Sequence, residues 1–484
     1  MASKKEEMDA KGITTSKNDD ISDWYEQVCL KSEIVEFGVA KGTMVIRPRG
    51  YYIWEQITDY FNKNINEKRG VENAYFPLFI PESFFNREAE HAEGFSPEVA
   101  WIDKKNTGDG ERLAIRPTSE TIMYDSFSGW IRSYKDLPLK INQWCNIVRW
   151  ETKATKLFLR SREFLWQEGH CVYESEEECD RETKDLVLDY ERLGKELLAL
   201  PLIVGQKSEK EKFAGAKKTY SIEAFMPDGK ALQAGTTHDL GQSFAKAFKI
   251  SYIGQDEKKH LPYQNSWGIS TRLIGGMIMT HSDDKGLVLP PKVAKNKAVI
   301  IPLLFKGKEE KVLAAARDLE KKLKSLNVIV DDRAEHKPGY KFSEWEMKGI
   351  PVRIEIGPRD VENGEVIIVK RNDSEKVSVK MDDVKSEIGK MFEKMHKEMY
   401  EKAAKMLEDN IVEVKSWEEF VKVIKERKIV KTVWCAETAC EENIKEKTGG
   451  ATSRCIPFDL KRISGKCPCC GKDAKVEIYF SKSY

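Results

Sequence analysis

Residues 146–170 constrain this chain more than any other stretch, because two apolar strand patterns there flank a short basic loop. Ile147-Val148-Arg149-Trp150-Glu151 reads as a strand ending with Arg149 and Glu151 on one face, since alternate strand residues point the same way. Beyond the loop, Arg160-Ser161-Arg162-Glu163-Phe164 leads into an aromatic returning strand, Leu165-Trp166-Gln167-Glu168-Gly169-His170. A guanidinium fork suits the α-phosphate of a nucleotide, a carboxylate suits an adenine amino group, and a Phe face can stack on the base. No phosphate cradle of the GxxxxGK[ST] kind accompanies it. Taken alone, the same residues also describe a surface hairpin with solvated charges.

The rest of the chain gives that hairpin a large setting. Its 484 residues amount to about three typical domains, which excludes a single small binding module. A hydrophobic share of 40% with 33% charged residues is ordinary for a globular protein. Lys and Arg number 81 against 80 Asp and Glu, so bulk charge makes no case for nucleic acid, and such a partner would need a local basic face. The longest apolar run, Ala298–Phe305, falls far short of the roughly 18 residues of a membrane span, and the charged start, Met1–Gly12, lacks an apolar signal region. A cytoplasmic, reducing location is expected.

Composition shifts divide the chain into a frayed leader over 1–20, a large first region over 21–290 closing at Pro290-Pro291, and two smaller units. In the first of these, over 297–400, strands Ala298–Leu304, Val328–Val330, Val352–Ile356 and Val366–Val369 alternate with a helix-periodic stretch, Glu309–Leu326. That alternation predicts a small α/β domain on a largely parallel sheet. Ile388, Met391, Met395, Met399 and Met406 recur at helical spacing over Val384–Met406, predicting a helix with one buried face.

The last unit, 401–484, is set apart by cysteine. Of ten cysteines, four (Cys29, Cys145, Cys171, Cys179) precede Cys435 and the rest follow from it. Cys435-x4-Cys440 and Cys467-x2-Cys470 flank a 26-residue spacer. Two thiolate pairs at such spacing predict a closed, structural four-cysteine Zn²⁺ site, with Cys455 and Cys469 as competing thiols.

The 146–170 hairpin resembles motif 2 of the class II aminoacyl-tRNA synthetases, an Arg-x-Glu, loop, Arg-x-x-x-Phe signature. Trp267-Gly268-Ile269-Ser270-Thr271-Arg272-Leu273-Ile274-Gly275-Gly276 resembles motif 3, a strand and helix carrying the Arg that meets the γ-phosphate. A helix over Tyr51–Ile65 and a strand over Ala74–Pro81 resemble motif 1, which in that family forms the dimer interface and ends in a characteristic Pro, here Pro77. Arg116-Pro117-Thr118-Ser119-Glu120, Trp166-Gln167-Glu168-Gly169-His170 and Gly235-Thr236-Thr237-His238-Asp239-Leu240-Gly241 are similar to prolyl-tRNA synthetases of the archaeal and eukaryotic type. The likeness covers essentially residues 21–484.

The resemblance implies a class II antiparallel sheet flanked by helices, an α/β anticodon-binding domain and a small zinc-binding α/β domain. The implied activity is ATP-dependent ligation of L-proline to tRNA(Pro) through a prolyl-adenylate, by a homodimer, with Mg²⁺ accompanying ATP. Carried over residue by residue, it implies a proline pocket of Thr118, Glu120, Arg149, Trp166, Glu168, Phe213, His238 and Ser270. ATP would be held by Arg149, Glu151, Arg160, Phe164, Gln233, Thr236 and Arg272, with Arg149 and Arg272 stabilising the reacting phosphates. Phe342, Glu346, Arg353 and Asp360 are nominated for the anticodon. In related enzymes the terminal carboxylate, here of Tyr484, reaches toward the catalytic site. Some relatives carry an editing domain between motifs 2 and 3, and the stretch from His170 to Asn265 is long enough only to complete the sheet. A class II ligase for threonine or glycine, or a non-catalytic paralogue that binds RNA, would share parts of this pattern.

Overall fold

The computed structural model describes residues 12–89, 99–108, 110–150, 154–458 and 463–484. Helices α1 (Ile21–Lys31) and α2 (Pro48–Phe61) precede the main sheet, and α2 is preset by Pro48 in its first turn and buries Ile53, Trp54, Ile57 and Phe61. Strands β1 (Leu139–Val148) and β2 (Glu163–Tyr173) pair antiparallel, and a long helix, α3 (Glu176–Leu198), follows. The Ser175 side chain caps α3 by accepting from the Glu178 N–H, and Glu176, Glu177 and Glu178 complement the positive end of the helix dipole. Its buried stripe, which includes Cys179, Leu186, Val187, Tyr190 and Leu193, belongs to the same core as β2 residue Cys171 and the Trp267 ring.

Four further strands continue the main sheet: β3 (Ile203–Gln206), β4 (Lys218–Phe225), β5 (Lys230–Gly241) and β6 (Tyr263–Ser270). β6 lies between β2 and β5, antiparallel to both, and runs straight into helix α4 (Arg272–His281). This is the antiparallel sheet flanked by helices that the resemblance implies. No helix among the described residues is long and apolar enough to cross a membrane.

Where motif 1 was expected to end in one strand over 74–81, there are two short strands in different sheets, Glu72–Asn73 beside β1 and Phe79–Pro81 beside Leu113–Ile115. Between them the Phe76 carbonyl accepts from Arg116 Nη1 at 2.8 Å and its N–H is taken by the Gln143 side chain. Pro77 has no N–H to give a ladder, so side chains take over there. The helix before it starts three residues earlier than expected and passes through a π-helical turn, Asn62–Asn66. Residues 14–17, expected to fray, are tied down: Thr14 and Thr15 bond to Gln27 and Asp23, and the Lys17 N–H donates to Asp284 at 2.7 Å. Residues 1–11 lie outside the described ones.

The next unit is a five-stranded sheet of β7 (Ala298–Pro302), β8 (Ile329–Val330), β9 (Val352–Ile356), β10 (Glu365–Lys370) and β11 (Lys376–Lys380), in spatial order 8-7-9-10-11. The sheet is mixed rather than largely parallel, since β9–β10 and β10–β11 are antiparallel. Only residues 357–364 separate β9 from β10, fewer than the dozen or so that a parallel crossover needs. The predicted amphipathic helix is α5 (Val384–Asp409), with Ile388, Met391, Met395 and Met399 buried. It runs unbroken past residue 400 into the cysteine-rich unit. There, β12 (Ile411–Glu413), β13 (Ile429–Trp434) and β14 (Val476–Ser483) extend the catalytic sheet itself, because Lys482 and Ser483 of β14 pair with Lys230 and Ala231 of β5.

Gly169 shows how tight this packing is. A Cβ there would lie 2.1 Å from the Trp267 indole, whose ring stacks with Phe61 at 5.9 Å. Gly169→Ala should therefore cost about 1–3 kcal/mol through overpacking, read as a lowered Tm, and an unchanged Tm would contradict it.

Candidate active site

The site is built by strand periodicity. Trp166, Glu168 and His170 alternate along β2 and so share a face, and across the ladder they meet Ser270, Gly268 and Ser266 of β6. Thr236 and His238 of β5 lie opposite Gly268 and Ser266 in turn. A slip in the β4–β5 register between Ile222 and Glu223 leaves Ala234 as an extra residue, and Gln233 to Thr236 all reach the same cavity. That cavity is about 610 Å³, within the usual range for a small-molecule site.

All the residues nominated for proline line it: Thr118, Glu120, Arg149, Trp166, Glu168, Phe213, His238 and Ser270. So do Arg160, Phe164, Gln233, Thr236 and Arg272 from the ATP set. Glu151 lies outside the described residues. Arg149 stands just beyond β1, its Nε donating to the Pro117 carbonyl at 3.1 Å and its guanidinium 5.7 Å from the ring centroids of both Phe164 and Trp166. The Trp166 indole is held by its own N–H, which donates to Cys145 Sγ at 3.1 Å. Arg272 opens α4 and is oriented by the carbonyls of Leu159 and Gln233, each 3.1 Å away.

The cavity floor is a buried polar network. Glu168 accepts from Gln143 Nε2 at 2.9 Å and from Ser119, with His170 Nε2 at 3.2 Å, while Tyr124 holds the other His170 nitrogen at 3.0 Å. Burial alone would raise the Glu168 carboxyl, yet the donors from His170, Ser119 and Gln143 outweigh it and keep the group below its ordinary range. The result is a fixed negative charge beneath an aromatic wall. His238 is set differently: its nitrogens meet the hydroxyls of Thr219 and Thr236 at 3.0 and 3.1 Å, and burial, aided by nearby His170, drives its pKa down to about 3. Phe213 packs on the neutral imidazole, ring to ring at 4.6 Å.

Sequence reasoning missed Ser119, Gln143, Tyr124, Glu211 and Thr219 as members of this site. Gln143 was within reach of a register argument, because it stands directly opposite Glu168. Glu211 and Thr219 carried no signal, since they arrive through the pairing of β4 with β5 and the loop before it.

In the five-stranded unit, three of the four nominated residues come together. The Arg353 guanidinium lies 4.1 Å from the Phe342 ring centroid and is paired with Glu346 at 2.8 Å. Asp360 does not join them; its carboxylate accepts from the Gly357 N–H at 2.7 Å, capping a short helix beyond the end of β9. In the C-terminal unit the Sγ atoms of Cys435, Cys440, Cys467 and Cys470 all lie within 4.8 Å of one another. Cys440–Cys467 and Cys435–Cys470 are 3.7 and 3.6 Å apart. A tetrahedron with Zn–S bonds of about 2.3 Å needs sulfur separations of about 3.8 Å, so the cluster fits a zinc ion. Cys455 stands apart, fully buried and pushed up to about 12 by that burial. Tyr484 closes the chain against the catalytic core, its hydroxyl donating to Asp228 at 2.7 Å.

Comparison with known proteins agrees with this geometry. Residues 101–281 match the tRNA synthetase class II core domain (G, H, P, S and T), 297–391 an anticodon binding domain, and 417–484 the prolyl-tRNA synthetase C-terminal domain. The chain is thus a class II aminoacyl-tRNA synthetase. It is 48% identical over 485 residues to a proline-tRNA ligase of Alkaliphilus oremlandii, covering all of both chains, and 48% identical to proline-tRNA ligase 2 of Clostridioides difficile over 97% of this chain and 98% of the other. It superposes on the Cryptosporidium parvum prolyl-tRNA synthetase, solved with L-proline and AMP, with a TM-score of 0.93 at 41% identity over 100% of this chain and 99% of that one. The chain belongs to the prolyl-tRNA synthetase family and is a proline-tRNA ligase.

Two half-buried histidines predict its acid response. His238 titrates near 3 and His281, also lowered by burial, near 4, against about 6.5 in an unfolded chain. Between those values the unfolded state binds protons that the folded one refuses, so these two groups add stability above about pH 6.5 and lose it as pH falls. Urea unfolding from pH 7.5 to 5 should show falling stability and net proton uptake, up to two protons from this pair. A flat profile would contradict the assignment.

Proposed function

We propose that the ligation proceeds in two steps at this one cavity. A carboxylate oxygen of proline attacks the α-phosphorus of ATP, the bond to the bridging oxygen breaks, and pyrophosphate leaves. A terminal ribose hydroxyl of tRNA(Pro) then attacks the carbonyl of the prolyl-adenylate and displaces AMP. The observation that carries this reading is Arg149, which stands beside both the Phe164 and Trp166 rings at 5.7 Å from each, the two rings meeting edge to face at 6.1 Å. From there one guanidinium can clamp both the amino-acid carboxylate and the α-phosphate, with adenine on Phe164 and the pyrrolidine ring against Trp166 and Phe213.

The remaining roles follow from charge. Glu120, bonded to the Thr118 hydroxyl, accepts from the secondary ammonium, while Glu168 supports it from below. Ser270 and neutral His238 complete the proline pocket. Arg160 and Arg272 take the outer phosphates, Gln233 and Thr236 the ribose side, and Glu151 the adenine amino group. Mg²⁺ bound to ATP neutralises the phosphates and needs few protein ligands. Charge neutralisation and in-line positioning account for the chemistry, so no general base is required for adenylation.

The same reading assigns domains. Residues 21–290 catalyse, 297–400 bind the anticodon through Phe342, Glu346, Arg353 and Asp360, and 401–484 form a zinc domain; Asp360 also caps a short helix through the Gly357 N–H. We read no editing in cis, which is supported by the segment from α3 to β6: it holds sheet strands, one short helix and one short hairpin. A homodimer through the motif 1 face is supported by Tyr51, Tyr75 and Phe79, large side chains left exposed on one chain. The archaeal and eukaryotic subtype is supported by the likeness to the Cryptosporidium chain at 41% identity, while the curated bacterial relatives reach 48%. A cytoplasmic location suits the four-cysteine cluster, which holds zinc only through reduced thiolates.

ATP–pyrophosphate exchange across the twenty amino acids tests the function directly. Proline should dominate with weak exchange for alanine and cysteine, which an apolar pocket rejects only by roughly 1–3 kcal/mol per methylene. Arg149→Lys, which keeps the charge and loses the fork, should cut kcat/KM on the order of 100-fold. Exchange led by another amino acid would overturn the reading.

Zinc is tested separately. Elemental analysis should find one zinc per chain; Cys467→Ser should lose it and unfold 401–484, whereas Cys469→Ser should retain it. Zinc lost from Cys469→Ser would displace the proposed ligand set.

A further inference from the structure

The Phe213 wall of the cavity is held by the C-terminal domain as well as by the catalytic sheet. Glu211 and Phe213 sit on a turn that starts at Ser208, whose carbonyl accepts from the Lys212 N–H at 3.0 Å and whose hydroxyl oxygen accepts from the Glu211 N–H at 3.2 Å. Ser208 is itself buried. Its hydroxyl lies 3.1 Å from that of Ser453, and Ser453 donates to Glu441 Oε1 at 2.6 Å. A hydroxyl has one proton; Ser453 directs its own to the carboxylate, so Ser208 must donate to Ser453. The chain of bonds therefore has one polarity, Ser208 to Ser453 to Glu441, and a fixed end.

That end belongs to the zinc domain. Glu441 directly follows Cys440, is 1% exposed, and its second oxygen meets no donor among the described residues. A buried carboxylate bound through a single hydroxyl holds that hydroxyl strongly. Two neighbouring contacts run parallel to it: Lys207 shares Glu223 with Arg454, at 2.6 and 2.9 Å, and Lys210 pairs with Glu442 at 3.2 Å. Each residue from 207 to 210 with a contact across this boundary reaches the segment around Cys440 or Arg454, or the carboxylate it shares.

We propose that the C-terminal domain positions the Glu211–Phe213 wall of the amino-acid pocket through the Ser208–Ser453–Glu441 hydrogen bonds, making these three positioning residues for proline recognition. None of the three touches substrate. The proposal rests on Phe213 being a wall of the proline pocket, and its consequence is that the cysteine-rich domain contributes to amino-acid selection as well as to stability.

Pyrophosphate exchange on the full chain, with KM for proline and for ATP measured separately, decides it. Ser208→Ala and Ser453→Ala should each raise KM for proline about three- to tenfold, the effect of one lost hydrogen bond, with KM for ATP, zinc content and dimer state unchanged. Because both remove the same connection, the double variant should be no worse than the more affected single. Hydrogen exchange over residues 208–216 should quicken in all of them. Glu441→Gln keeps an acceptor for Ser453 and should stay within about twofold of wild type, whereas Glu441→Leu should match Ser453→Ala; this pair carries the same readout if Ser453→Ala does not fold. A lowered Tm with unmoved KM for proline, equal rises in both KM values, or multiplicative effects in the double variant would overturn the proposal. Phe213→Ala separates the two levels: if it leaves KM for proline unchanged, the pocket reading fails, and if it raises KM while the serine variants do not, only the positioning role fails.

Discussion

The antiparallel register of β2 against β6 carries the site. Pairing Trp166 with Ser270, Glu168 with Gly268 and His170 with Ser266 sends every second side chain of both strands into the cavity. Because the period of a strand is two, a slip of one residue would turn Trp166, Glu168 and His170 to the helical side and bring Leu165, Gln167 and Gly169 to the substrate. The back face prevents that slip. Gly169 can face the core only because the Trp267 indole fills its place, and Gln167 is held by Tyr190 of α3 at 3.1 Å. The face that β2 presents to the cavity thus depends on packing behind the sheet.

Charge placement follows the same logic. A negative Glu168 in the floor is tolerable because His170, Ser119 and Gln143 all direct groups at it, and a buried carboxylate with that many donors stays ionised. His238, only two strands away, meets hydroxyls instead of charges and stays neutral. One cavity therefore holds a fixed anion and an uncharged ring that backs Phe213, with the Arg149, Arg160 and Arg272 side chains on its lining.

The motifs were legible because they are local. Arg149, Phe164, Trp166 and Glu168 are fixed by alternation within one hairpin, and Arg272 by its place at the start of a helix after a strand. The Met stripe from Ile388 to Met399 and the four cysteines were equally local in their spacing. What stayed illegible depends on contacts distant in sequence. The sheet of the 297–400 unit looked parallel because strands alternate with helices, yet the short link at 357–364 dictates an antiparallel return. Thr219 gains its meaning only through the β4–β5 ladder.

The joint between catalytic and C-terminal units shows the same dependence at larger scale. β14 adds to β5 in parallel, a pairing of residues some 250 positions apart, and the buried Lys207–Glu223–Arg454 cluster lies beside it. Two cations hold the Glu223 carboxyl below its ordinary range against the opposing effect of burial. Removing one partner of such a cluster typically costs about 3–5 kcal/mol, while replacing the whole with well-packed apolar residues can be neutral. Stability alone therefore does not account for ions at this boundary. Directionality does: apolar contacts would let the two units slide, whereas three charges and a polarised run of hydroxyls permit one alignment of residues 207–213 over the cavity.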